Sequence, residues 1–151
     1  MTYPLSFISR GVTKRANNYS ISSGGIGEAL QRSASSMAAA NNTLDETIAM
    51  ITAANEVAQN PDKVGNALKT ISMRIRAAKS EMEELGEDTT GMVESTATLR
   101  AEIMALSGVD IMASSTEFKS TYDILDELSK KWKDLSDIQQ AKCLPDNVGI
   151  H

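Results

Sequence analysis

Few side chains in this sequence combine the type and the spacing that chemistry needs. Cys143 and His151 are its one cysteine and one histidine. A thiol–imidazole pair works only in a held geometry, and residues at a chain end are seldom held, so both read as incidental. Single copies also exclude a disulfide framework and any metal site built on thiolates or imidazoles. Glu81, Glu83, Glu84, Glu87 and Asp88 offer oxygens, but a hard cation needs them to converge from several elements. These surround one expected helix end, so they read as a solvated face or a partner contact. Ser22-Ser23-Gly24-Gly25-Ile26-Gly27 resembles an anion nest at a helix start. It lacks the lysine and hydroxyl of a phosphate loop, and close helix approach or backbone freedom accounts for its glycines. Lys69, Arg74, Arg76 and Lys79 form a short basic run without the interleaved aromatics of a nucleic-acid platform. Trp132, between Lys131 and Lys133, reads as a core or interface anchor. No catalytic, cofactor or metal set emerges.

The elements that carry these residues are helical. The chain has 151 residues, 20 acidic against 15 basic side chains, and a formal charge of -5. Hydrophobic residues make up 41% but aromatic residues only 4%; alanine and methionine suit a helical core better than a β-sandwich. The acidic balance argues against a nucleic-acid domain. No window reaches the roughly 18 apolar residues of a membrane span, and the opening MTYPLSFISRGVTKR has the wrong order of charge and apolar run for a signal peptide.

Ile26 to about Ala39 reads as a small-residue helix with Ile26, Leu30, Ala34 and Met37 on one stripe. Thr43 and Glu46 make a capping box, opening a helix with Leu44, Ile48, Ile51, Ala54 or Asn55, and Ala58 on one face. Asn60-Pro61-Asp62 is a strong start signal. From there Val64, Leu68, Ile71, Ile75, Ala78, Met82 and Leu85 alternate steps of four and three, which predicts one helix from Pro61 to Leu85 closed by Gly86. It would span roughly 37 Å. A helix follows from about Ser95 to Leu106, stopped near Ser107-Gly108. Val109, Ile111 and Met112 lie in a connector, and Glu117 to Lys133 reads as a helix presenting Phe118, Tyr122, Leu125, Leu128 and Trp132. Ser136 and Gln139 repeat the capping-box pattern before Pro145 ends any helix. The expected architecture is all-α: an elongated or loosely packed bundle of four to five helices with frayed termini. Its interaction candidates are Val64, Leu68, Ile71, Ile75, Met82, Leu85, Phe118, Tyr122 and Trp132.

Several blocks, in order, carry a resemblance. They are Asn18 to Ser36 (NYSISSGGIGEALQRSASS), Ala53-Ala54-Asn55-Glu56-Val57, Pro61, Val64-Gly65, Ala67-Leu68-Lys69-Thr70 and Ser72-Met73-Arg74-Ile75-Arg76. Phe118-Lys119-Ser120-Thr121-Tyr122 and Trp132 to Ile138 (WKDLSDI) complete the series. Together they resemble phage and prophage tail tape measure proteins over roughly residues 17–142. The resemblance implies a helical virion component, without a catalytic centre in this region, that occupies the lumen of a growing tail and sets its length. It implies partners among tail-tube subunits, tail assembly chaperones and baseplate proteins, beside self-association or contact with missing parts of a parent protein. It places the chain in the bacterial cytoplasm during assembly and in the tail lumen of the virion.

The resemblance divides the sequence into an atypical lead-in at 1–16, the helical region at 17–142 and a divergent tail at 143–151. Tape measure proteins run to many hundreds of residues, whereas this chain, even as one helix, would reach only about 225 Å. A truncated fragment is therefore expected. The competing reading is a free-standing helical adaptor without enzymatic activity.

Overall fold

Side-chain caps written into the sequence set most helix starts. In the computed structural model, which describes residues 21–92 and 95–143, the Gly25 amide donates to Ser22 Oγ at 2.9 Å and opens α1, Ser23–Ala39. At its far end Asn41 takes a left-handed conformation (φ 63°). The Asn41 amide donates to the Ala38 carbonyl and the Asn42 amide to that of Met37, so two otherwise orphaned carbonyls are met. The capping box then forms as expected. Thr43 N–H donates to Glu46 Oε2 at 2.8 Å and Glu46 N–H to Thr43 Oγ1 at 3.2 Å, opening α2, Leu44–Ala58. Asn60 Oδ1 receives the Lys63 amide at 3.1 Å, and Pro61 takes the first position of α3, Pro61–Ile75. The described residues divide into two compact units, and the division falls within α3, between Thr70 and Ile71.

The first unit is built on apolar packing. α1 and α2 lie against each other, with Ile26, Leu30 and Met37 buried on one and Leu44, Ile48 and Ile51 on the other. Ala58, expected on the same face of α2, is exposed. Buried hydroxyls are absorbed locally: Ser33, Thr47 and Thr52 each donate to the carbonyl four residues earlier, at 2.7, 2.9 and 2.7 Å. No desolvated donor remains on these three side chains. α3 approaches α1 at Gly65, where a Cβ would fall 2.7 Å from the Ala29 carbonyl oxygen and 2.8 Å from Arg32 Cβ. Only a residue without a side chain fits this crossing. Beside it Arg32 and Asp62 form an exposed ion pair at 3.4 Å.

The second unit departs from the expected elements at two places. The helix expected from Pro61 to Leu85 is broken: α3 ends at Ile75, and a six-residue α4, Lys79–Glu84, begins after a turn. The turn is a helix-ending motif in which the Ala77 and Ala78 amides donate to the Arg74 and Met73 carbonyls. Ala77 therefore sits at φ 53°, where an L-residue with a Cβ costs roughly 1 kcal/mol more than glycine. Gly86 (φ 72°) closes α4 in the same way and as expected.

α5, Thr96–Ser107, starts at the Ser95 cap and stops at left-handed Gly108. The connector after it buries Val109 and Ile111. It turns back through an isolated antiparallel bridge between Met112 and Phe118, with Lys119 N–H donating to the Ile111 carbonyl. Residues 117–119 are therefore extended, and α6 begins at Thr121 rather than Glu117, capped by Ser120. It runs to Lys131 and tightens into a 3-10 turn at Trp132–Asp134. The second capping-box pattern forms: Ser136 N–H donates to Gln139 Oε1 at 2.9 Å and Gln139 N–H to Ser136 Oγ at 3.3 Å, opening α7, Asp137–Cys143.

The fold is all-α, with seven α-helices among the described residues. The excess over the expected four to five comes from the break at Ala77 and from counting the short α7. The lead-in at 1–16 and the tail beyond Cys143 lie outside the described residues.

Candidate interaction surface

Among the described residues no group of three or more His, Cys, Asp and Glu is placed to hold a metal ion. The acidic cluster is engaged in local structure instead. Glu81 pairs with Arg76 at 3.1 Å, and Thr89 Oγ1 donates to Glu83 at 3.4 Å. The Thr90 amide donates to Asp88 Oδ1 at 2.9 Å. Hydrogen bonds from Thr90 hold the Asp88 carboxyl below its ordinary range. Two side chains of the basic run turn to the same place: Arg76 in that pair with Glu81, and Arg74, whose Nη2 donates to the Asp88 carbonyl at 2.6 Å. The glycine-rich stretch is no open nest either. The Gly25 amide is taken by Ser22, and a Cβ on Gly25 would meet Pro61 Cγ at 3.0 Å. Close approach is the reason for that glycine.

The nine interaction candidates do not share one environment. Val64, Leu68 and Met82 are buried core residues. Ile71, Ile75, Phe118 and Trp132 are half-buried. Leu85 and Tyr122 are exposed, at 60% and 38%. In α3 the buried face passes through Val64, Gly65, Leu68, Ser72 and Met73, so it drifts off the apolar seam and leaves Ile71 and Ile75 at its margin.

Exposed large apolar side chains that the sequence pattern did not single out are Val57 at 86%, Met104 at 43% and Ile138 at 70%. Val57 stands on the exposed side of α2, a β-branched residue next in sequence to Glu56 and close to Gln59. That placement was the available signal. Met104 and Ile138 belong to α5 and α7, which pack on each other. In α5 only Ser107 is buried.

Polar ties hold the second unit where apolar burial is thin. Arg100 grips Asp110 through two hydrogen bonds, Nε to Oδ1 at 2.7 Å and Nη2 to Oδ2 at 2.5 Å. Asp110 also receives the Met112 amide at 3.0 Å. These bonds, the Arg100 contact first, lower its pKa from 3.8 to about 2, and the same contact raises that of Arg100. Lys119 pairs with Glu127 at 2.7 Å and Lys130 with Asp126 at 2.6 Å. Gln139 Nε2 reaches the Leu106 carbonyl at 3.4 Å, and Gln140 Nε2 that of Trp132 at 2.7 Å.

A family model described as phage-related minor tail protein matches residues 10–146. The chain belongs to that family. Membership makes this minor tail protein a structural component of the phage tail, one whose surfaces meet other tail components. No solved structure matches it. Among the described residues of this tail protein, no helix is long and apolar enough to cross a membrane.

Proposed function

We propose that this minor tail protein acts as tape measure sequence: a helical scaffold around which tail-tube subunits polymerise and whose extent sets tail length. The observation that carries the reading is the ordered series of blocks from Asn18–Ser36 to Trp132–Ile138, all of it inside the family match at 10–146. The fold lends physical support. Leu85, Met104, Tyr122 and Ile138 stand in solvent on the second unit, so a tail partner can cover apolar surface there without opening a core. The partners in this reading are tail-tube subunits, tail assembly chaperones and baseplate proteins, together with further tape measure sequence or other copies. Assembly takes place in the host cytoplasm and ends with the chain in the tail lumen.

Co-production with the tail-tube subunit and tail chaperone of the encoding phage or prophage tests this, with complex mass read by light scattering. The expected result is a complex of fixed stoichiometry. Leu85→Asp combined with Ile138→Asp should weaken it while leaving the thermal midpoint of the free chain unchanged. A chain that stays monomeric beside both partners contradicts the reading and favours the free-standing adaptor.

A further inference from the structure

The apolar seam does not stop where the helix does. Val64, Leu68, Ile71, Ile75, Ala78, Met82 and Leu85 keep the four–three alternation straight through the turn at Arg76–Ala78. Neither glycine nor proline occupies that turn, and alanine is the best helix former. Against this pattern the break holds three unfavourable features. Ala77 lies at φ 53° with a Cβ, and the Nε–H groups of Arg74 and Arg76 are buried without an acceptor among the described residues. Seam residue Leu85 is left in solvent. On the other side stand the burial of Met73 and Met82, the Arg74 bond to the Asp88 carbonyl and the Arg76–Glu81 pair.

We propose that α3 and α4 form a two-state element, closing at Ala77 into one continuous helix from Pro61 to about Leu85. In the closed state Ala77 returns to right-handed φ, and the amides of the turn regain bonds four residues back. The guanidinium groups of Arg74 and Arg76 move off the seam toward water. The cost is the present burial of Met73 and Met82 together with the Arg74 bond to the Asp88 carbonyl and the Arg76–Glu81 pair, and with costs on both sides the two arrangements are both populated. This inference rests on the chain alone and is independent of the tape measure reading.

Two substitutions at Ala77 push the element in opposite directions. Glycine removes the penalty on the left-handed turn and weakens a continuous helix. Valine, β-branched, raises the penalty of positive φ steeply yet is accepted within a helix at modest cost. Spin labels at Asn66 and Glu84, both exposed, are placed by cysteine substitution in the full chain with Cys143→Ser. Along a continuous helix the two positions lie about 27 Å apart. The expected result is a distance distribution in which that component grows from Ala77→Gly through wild type to Ala77→Val. The intraresidue amide–Hα cross-peak that marks positive φ at residue 77 should fall in the same order. An identical distribution in all three chains overturns the proposal. So does loss of helix in Ala77→Val without growth of the 27 Å component.

Discussion

Among the described residues, both units of this tail protein take helices as their regular structure, but different forces hold them together. Of the buried hydrophobic residues described, thirteen lie in the unit up to Thr70 and five in the unit that follows. In the first, α1 and α2 interlock large side chains at full burial, and α3 comes close enough at Gly65 to exclude a Cβ. In the second, caps, a bidentate ion pair and glutamine-to-carbonyl bonds tie together helices whose apolar residues are mostly half-buried. Ties of that kind contribute little when solvent screens them, whereas burying an isoleucine contributes far more. Helices of similar total length among the described residues therefore yield a packed core in one unit and a loosely held, partly apolar surface in the other.

Substitutions in the two units should differ in cost accordingly. The largest effect belongs to the first unit. Ile48→Ala or Ile51→Ala, both at 0% exposure, should cost about 3 to 4 kcal/mol in urea unfolding. Gly65→Val follows at about 2 to 3 kcal/mol, because the Ala29 backbone must retreat from the new side chain. Ile71→Ala in the second unit should cost less than about 1.5 kcal/mol. A fully packed seam would make it as costly as Ile48→Ala, and the half-burial of Ile71 lowers that figure.

Asp110 gives a pH signature. Its carboxyl is depressed from 3.8 to about 2. The ionised form therefore stabilises the fold above the ordinary carboxylate range, and that contribution disappears as pH falls through the native value. The gap in thermal midpoint between wild type and Asp110→Asn should be present at neutral pH and close by about pH 2. Glu83→Ala, at an exposed carboxylate, should change stability by less than about 0.5 kcal/mol.

Much of the fold was legible in the sequence where a cap or a left-handed glycine marks it. Thr43 with Glu46, Asn60 with Pro61, Ser136 with Gln139, Gly86 and Gly108 all act as their residue types dictate. The break at Ala77 was not, because its motif is closed by an alanine that propensity assigns to a helix interior. The start of α6 was misplaced for a related reason. Phe118 and Tyr122 have helical spacing, but pairing of residues 117–119 with 111–114 overrides it. Of the candidate interaction surface, Leu85 and Tyr122 were visible as apolar positions. Burial of Val64, Leu68 and Met82 depends on packing that a single-helix pattern does not encode.

Residue-resolved hydrogen exchange on the isolated chain tests the central contrast most directly. Amides from Ile26 to Met37 and from Ile48 to Thr52 should open only with global unfolding. Those from Leu99 to Leu106 in α5 should exchange at least on the order of a hundredfold faster. Equal protection in the two sets would mean that the second unit is packed as firmly as the first, and would contradict the account.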